Sequence, residues 1–331
     1  MRARRGSVAA MSALAGMFAA GSALAAGSGC ARTCLVGAMD RYLDAMVAHD
    51  PGRLKVTSDL RFTEDGAPMK LGDGLWATNG GLGPFRLDFD DPEAGQAGAL
   101  VTVQENGNIA LMAIRLKVAG GRISQVETVL ARKGELQSLQ TDLLQAPLPI
   151  FKEDVPAARR SSRAELEKIT NLYFDAIEQA DGSIVPFARD GFRIENGVRT
   201  CNNPEPVAGG ANPDFAKLRG MACADQLSTK IFTYIKSVRP RRIEVVDTEK
   251  GLAIAFVRFQ HPGNVLFVDT PANGRVSQER NPWAIRPTSA LIAELFKIED
   301  HKIQRVMAVI TNVPYRMPTG WESPSPAAGA R

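Results

Sequence analysis

Tyr173–Gly197, YFDAIEQADGSIVPFARDGFRIENG, repeats Tyr42–Gly66, YLDAMVAHDPGRLKVTSDLRFTEDG, 131 residues earlier and without a gap. Seven positions are identical: Tyr42/Tyr173, Asp44/Asp175, Ala45/Ala176, Asp50/Asp181, Asp59/Asp190, Glu64/Glu195 and Gly66/Gly197. A second match stands at an offset of 180, where RLKVAGGRISQVETVL from Arg115 lies over LFKIEDHKIQRVMAVI from Leu295. Lys117/Lys297, Ile123/Ile303, Val126/Val306 and Val129/Val309 coincide there, and the offsets differ by 49, the excess length of the second copy. An internal repeat decides the architecture before any single motif does, and two copies are too few for a solenoid. Two like domains are expected.

Each copy opens on an amphipathic helix. In the second, Leu166, Ile169, Tyr173, Ala176 and Ile177 recur at helical spacing and share one face, with Asp175 nearly opposite. Asp50 precedes Pro51 in the arrangement of a cap followed by a first-turn proline, and Asp181 holds the same place in copy two, so both read as caps. Strand patterns then dominate: 111–118, 123–130, 243–246, 253–259, 265–268 and 303–310 are rich in β-branched residues. Asn106-Gly107, Gly120-Gly121 and Asp300-His301 fall where hairpin turns belong. A further helix is expected over 225–237, and the Gly80-Gly81-Leu82-Gly83 run predicts a shorter structure in copy one. Helices followed by a curled antiparallel sheet, written twice, give an α+β protein of two tandem cone-shaped domains. Their expected limits are 30–133 and 163–317, joined by a proline-bearing linker over 134–162 and followed by a disordered Pro/Ser/Ala tail over 318–331.

The first 25 residues stand outside the repeat. Arg2, Arg4 and Arg5 precede an apolar run from Val8 to Leu24 and an A-x-A site at Ala23–Ala25, the layout of a Sec-type signal peptide. Gly6-Ser7 continue a twin-arginine motif poorly, Gly27-Ser28-Gly29 is a poor context for a lipid on Cys30, and the run is short for a stable membrane span. A periplasmic or secreted location is expected. Export also explains the charge. The whole chain carries 40 basic against 36 acidic residues, but three arginines and no acids leave with the leader, so the remainder is nearly neutral. Without basic clustering, no nucleic-acid partner is implied.

In an oxidising compartment Cys30, Cys34, Cys201 and Cys223 become disulfide candidates. Four cysteines permit three pairings. Cys201 with Cys223 is favoured because the intervening loop needs a staple, and Cys30 can pair with Cys34 if the chain before the first helix is irregular. The spacings lack the paired short form of a four-cysteine zinc site, so no metal is expected.

The order Y-x-x-A-x-x-x-x-D, strand, then long β-meander resembles the SnoaL-like branch of the nuclear transport factor 2-like superfamily. With GLAIAFVRFQHPG from Gly251 and LGDGLW from Leu71, the chain is similar to a secreted family of fungi and bacteria over most of 34–316. The resemblance implies a conical pocket between helices and sheet. It leaves the reaction open, since that superfamily holds dehydratases, isomerases, cyclases, epoxide hydrolases and lyases that need no cofactor, beside non-catalytic binding domains.

Chemistry in such a pocket is acid–base, so polar residues on inward faces are the candidates. Tyr173 and Tyr42 sit on the apolar faces of their helices, where a phenol either donates to a developing oxyanion or is a satisfied core residue. Arg193 and Glu195 alternate with Phe192 and Ile194 along a strand; if their face lines the pocket, Glu195 is a base and Arg193 an anion clamp, and if it faces water they are a weak surface pair. Copy one has Phe62 in place of Arg193, which makes copy two the better-equipped site. His261 ends an apolar strand before Pro262-Gly263 and is the candidate acid/base histidine, or else a rim residue, while His49 and His301 read as exposed. Asn202 and Asn203 are candidate substrate contacts or turn residues; Trp283, in an inserted segment, is a candidate lid, and Trp76 its analogue in copy one. The basic run Arg239-Pro240-Arg241-Arg242 reads as a solvated strand entry. No nucleotide, hydrolase-elbow or zincin motif is present, which leaves no cofactor to expect.

These residues predict an exported, cofactor-independent lyase, dehydratase or isomerase acting in the second domain on a small oxygenated molecule, aromatic ones included. The alternative is a non-catalytic ligand-binding or scaffold protein built as a pseudo-dimer. A homodimer is compatible with either, and no membrane insertion is expected once the leader is removed.

Overall fold

The computed structural model describes residues 30–135, 139–204, 213–271 and 274–322. The expected leader over 1–25 lies outside them. The first domain comprises α1 (Arg32–Val47), β1 (Val56–Glu64), β2 (Ala67–Pro68), α2 (Leu75–Thr78), β3 (Asn79–Asp91), β4 (Gln96–Glu105), β5 (Asn108–Ala119) and β6 (Arg122–Ala131). After α3 (Pro149–Lys152) come α4 (Arg163–Gln179), β7 (Phe187–Glu195), β8 (Val198–Arg199), α5 (Pro213–Gly220), α6 (Cys223–Ser228), β9 (Ser237–Asp247) and β10 (Leu252–His261). The chain ends with β11 (Phe267–Thr270), β12 (Gly274–Ser277), α7 (Pro282–Ile285), β13 (Thr288–Glu299) and β14 (Lys302–Pro314).

The repeat is carried into space element by element. β1 and β7 lie 131 residues apart at both ends, and the starts of β5 and β13, and of β6 and β14, lie 180 apart. The two six-stranded sheets have the same order, β2-β1-β6-β5-β4-β3 and β8-β7-β14-β13-β10-β9. Each sheet holds one parallel pairing, β1 with β6 and β7 with β14, where a wholly antiparallel sheet was expected. The excess of copy two is α5, α6, the separate β11–β12 hairpin and α7.

Local chemistry accounts for the joints. Asp50 accepts from Gly52 N at 3.0 Å and Asp181 from Ser183 N at 3.0 Å, so both aspartates cap the single 3₁₀ turns that follow the long helices. The hairpin pairs Asn106-Gly107, Gly120-Gly121 and Asp300-His301 all have positive φ, as two-residue turns matching strand twist require. Cys30 pairs with Cys34 and Cys201 with Cys223; Cys30 precedes α1, which frees it from helical geometry and allows a Cα–Cα separation of 5.3 Å.

Several expectations change. The glycine-rich stretch of copy one opens the 13-residue strand β3, because pairing with β4 tolerates register shifts around Gly81 and Leu82. The helix expected over 225–237 stops at Ser228. Within the expected linker, Phe151 of α3 is buried in the core between the domains. The tail is docked as far as residue 322: Trp321 Nε1 donates to Thr63 Oγ1 at 2.8 Å, and Arg61 and Arg115 lie over its ring at 4.6 and 4.7 Å. Residues 323–331 lie outside the described residues. Of the basic run, Arg239 is exposed as expected, but Arg241 and Arg242 are not solvated. Arg241 Nη1 donates to Asp175 at 2.6 Å and Arg242 Nη1 to Glu244 at 2.9 Å, and both side chains are largely buried.

Side-chain alternation gives each sheet two apolar faces. One packs beneath its own helix: Tyr42 with Phe62, Met112 and Ile114 in the first domain, and Tyr173 with Phe259, Ile292 and Phe296 in the second. The opposite faces meet each other. Phe89, Leu100, Leu111 and Val129 of the first sheet share one core with Ile254, Phe256, Leu295 and Val309 of the second. The domains are thus joined back to back, and their concave faces point apart.

Candidate functional site

β7 supplies the first side chains. Arg193 and Glu195 point beneath α4, while Ile194 between them enters the inter-domain core. Arg193 is almost wholly buried. It donates to Tyr173 Oη at 3.3 Å and to Gln226 Oε1, and its Nε lies 3.3 Å from Glu195 Oε1. Gln226 is itself fixed, donating to Thr200 O at 2.7 Å and Leu218 O at 2.8 Å. It lies three residues beyond Cys223, whose disulfide ties α6 to the end of β8, so the staple expected for the loop also holds the arginine's partner.

Register brings a second carboxyl group to the same place. Glu195 pairs with Ala308 on β14, and Ala308 pairs with Glu294 on β13. The two glutamates therefore occupy one row of the sheet on strands about 10 Å apart, with only a methyl group between them. Glu294 is 2% exposed between Ile292 and Phe296, and its Oε2 has no hydrogen-bond partner. Burial, reinforced by the Glu195 charge, pushes its pKa up to about 8, against the smaller opposing effect of a hydrogen bond with Tyr173. At pH 7 it is mostly a neutral acid. Burial likewise raises the Tyr173 phenol well above its ordinary value, with Arg193 partly opposing the shift.

The other end of the cavity is aromatic. His261 lies beside Trp283, with ring centroids 5.9 Å apart and planes 27° from parallel, and beside Tyr234 at 5.8 Å. Trp283 is held at both ends: its backbone N donates to Asn281 Oδ1 at 3.2 Å, and its indole N–H to Asn312 Oδ1 at 2.8 Å. Burial lowers the His261 pKa to about 4, so the imidazole is neutral at pH 7, and its Nδ1 has no hydrogen-bond partner. His261 is six positions along β10 from Ala255, which pairs with Glu294. That is roughly 20 Å along the strand backbone, while the His261 and Glu294 side chains both line one cavity.

Between these ends lies a cavity of about 140 Å³, walled by residues such as Ile177, Leu227, Phe259 and Ile292. An enclosed apolar cavity of about 150 Å³ accepts a benzene ring; this one is partly open, so a molecule that holds its ring here extends beyond that volume. Tyr173, Arg193, Glu195, His261 and Trp283, each singled out in the sequence, all line it. Asn202 and Asn203 do not; they line a separate surface cleft with Arg189 and Arg199, where Asn202 Nδ2 ties the loop to Arg189 O and Gly191 O. Tyr42 and Trp76 belong to the first domain's core, where the indole N–H donates to Tyr42 Oη at 2.8 Å and the rings meet edge to face at 5.3 Å. Glu64, the counterpart of Glu195, receives Leu75 N at 3.1 Å and so holds α2 in place. Among the described residues no group of three His, Cys, Asp or Glu side chains is placed to hold a metal ion, and no helix is long and apolar enough to cross a membrane.

Glu294, Tyr234, Gln226 and Thr200 were not singled out from the sequence. Glu294 had a legible signal: it stands where copy one has Ile114, an acid on the apolar face of an alternating strand. Thr200 stands where copy one has Met69, with the same backbone bond to the preceding strand, while Gln226 comes from an inserted segment for which the repeat offers no counterpart.

Residues 159–310, mostly the second domain, match a family model described as "Domain of unknown function (DUF8021)". No curated protein matches the chain. Among solved structures it is similar to one titled "Crystal structure of putative ketosteroid isomerase from Kribbella flavida DSM 17836", at 11% identity and a TM-score of 0.24, covering 35% of this chain and 91% of that one. Likeness at that level bears on neither reaction nor ligand.

Proposed function

We propose that the second-domain cavity is an acid–base site for proton transfer on a small oxygenated molecule, in an isomerase, dehydratase or lyase exported by its N-terminal leader. The observation that carries this reading is the carboxyl pair flanking Ala308, one member ion-paired to Arg193 and the other kept protonated by burial. A carboxyl group kept protonated beside one paired with an arginine divides the roles of acid and base. Glu195 takes a proton from the carbon beside a carbonyl, and Glu294 delivers one to the oxygen that gathers the electrons. The same transfer, directed at a β-hydroxyl, releases water. Arg193 and Tyr173 orient the pair. The base is assigned to Glu195, which stands beside Glu294 and Arg193, whereas the His261 ring packs beside Tyr234 and Trp283. The disulfides suit an oxidising compartment.

The test is proton exchange, which any enolisable ketone that fits the cavity can report. Butanone, cyclohexanone and 4-phenylbutan-2-one are incubated with the full chain in D2O, and loss of the α-proton signals is followed by NMR. Exchange should exceed the buffer rate, and Glu195→Gln and Glu294→Gln should each slow it by about 100-fold or more. Exchange at the buffer rate for all three ketones would remove the enzyme assignment and leave a binding protein.

A further inference from the structure

We propose that the inserted segment of the second domain builds a ring-recognition subsite at the His261 end of the cavity, selecting uncharged molecules that carry a flat aromatic ring remote from the reacting oxygen. The inference rests on the acid–base reading for the location of that oxygen. The geometry of the aromatic end stands independently of it.

Tyr234, His261 and Trp283 form one continuous wall of three rings. Ile177 on α4, Leu227 on α6 and Ile235 add aliphatic surface to the same cavity. A flat ring in this space meets both π-systems and methyl groups, and aromatic pairing contributes beyond buried area. Trp283 is suited to this because its N–H and backbone are already engaged, which fixes the ring and leaves no polar group to satisfy. Its helix α7 belongs to the insertion between β10 and β13, where the first domain's β4 passes to β5 through Asn106-Gly107 alone. The first domain therefore lacks this wall.

The preference for an uncharged ligand follows from the charges around the cavity. Arg193 is paired with Glu195 and also engaged by Tyr173 and Gln226. Glu294 and His261 are uncharged at pH 7. Arg219, on α5, is the remaining charged lining residue and is half-exposed, where water screens it. A carboxylate brought into this space loses its hydration without a free buried cation to receive it.

Isothermal titration of the full chain at pH 7 compares three probes: 4-phenylbutan-2-one, its ring-saturated analogue 4-cyclohexylbutan-2-one, and 3-phenylpropanoate. The phenyl ketone should bind at least tenfold more tightly than either of the others. Trp283→Leu should bring the phenyl and cyclohexyl ketones to equal affinity, whereas Trp283→Phe should keep most of the difference. If Trp283→Leu does not melt cooperatively, the Phe variant and the wild-type probe series decide. Glu294→Gln should retain the ring preference while losing proton exchange. Equal affinity of the two ketones for the wild type, tightest binding of the carboxylate, or no saturable binding of the phenyl ketone overturns the proposal. Ring preference without exchange would refute the acid–base reading alone, and exchange without ring preference would refute the subsite alone.

Discussion

Arg32, at the start of α1, donates to Asp247 at the end of β9 through Nη1 at 2.7 Å and Nη2 at 3.1 Å, across the seam between the domains. Its repeat counterpart Arg163, at the start of α4, reaches Asp91 at the end of β3 at 2.5 Å in the reciprocal direction. Each domain thus sends the first arginine of its helix to the other domain's edge strand, as the two halves of a symmetric dimer would.

That pairing makes the seam sensitive to single charges. The Asp247 side chain is fully buried, so Asp247→Asn leaves Arg32 facing an amide and should cost about 2 kcal/mol. Thermal unfolding should show a melting temperature lower by several degrees. An unchanged melting curve would mean that the pair contributes nothing net.

Two buried groups give stability opposite pH dependences. Glu294 has its folded pKa raised to about 8, above its unfolded value, so its contribution is full below about 4.5 and is lost as pH rises towards 8. His261 has its folded pKa depressed to about 4, so its contribution is present above about 6.5 and is lost as pH falls towards 4. Denaturant midpoints measured from pH 4 to 9 should flatten on the alkaline side in Glu294→Gln and on the acid side in His261→Gln. Proton exchange should also decline above pH about 8, where the acid ionises. Wild-type slopes retained in both variants would refute these assignments.

The Cys201–Cys223 bond closes a sequence separation of 22 residues. Replacing both cysteines by serine should destabilise the chain by about 3 kcal/mol in chemical denaturation. It should also weaken 4-phenylbutan-2-one binding, because α6 carries the glutamine that holds Arg193. Full affinity in a destabilised variant would show that the staple supports the fold without supporting the cavity.

Trp76 is 1% exposed and its indole is bonded to Tyr42, so it belongs to the first domain's packing. Trp76→Ala should cost about 3 to 5 kcal/mol. Per folded molecule, proton exchange in the second domain should be unchanged, which a rate normalised to the folded fraction by circular dichroism will show.

The sequence alone determined the duplication, the helix-then-sheet order, the aspartate caps, the hairpin turns and the candidate pairing of the cysteines. All of these are local or repetitive, and each is written in residues close together along the chain. It also brought forward Tyr173, Arg193, Glu195, His261 and Trp283, because a polar group on an apolar face stands out from its neighbours. Tertiary structure decided which of them act together. Glu195 and Glu294 are 99 residues apart in the chain and become neighbours only through the parallel β7–β14 pairing and the antiparallel β14–β13 register. The same register sets His261 at the opposite end of the cavity. The first domain, with nearly the same pattern, turns its tyrosine and glutamate to structural ends, because Trp76 and Leu75 of α2 satisfy them. Periodicity shows which face a residue takes. The identity of its neighbour is set by strand pairing and inserted loops, which no local pattern records.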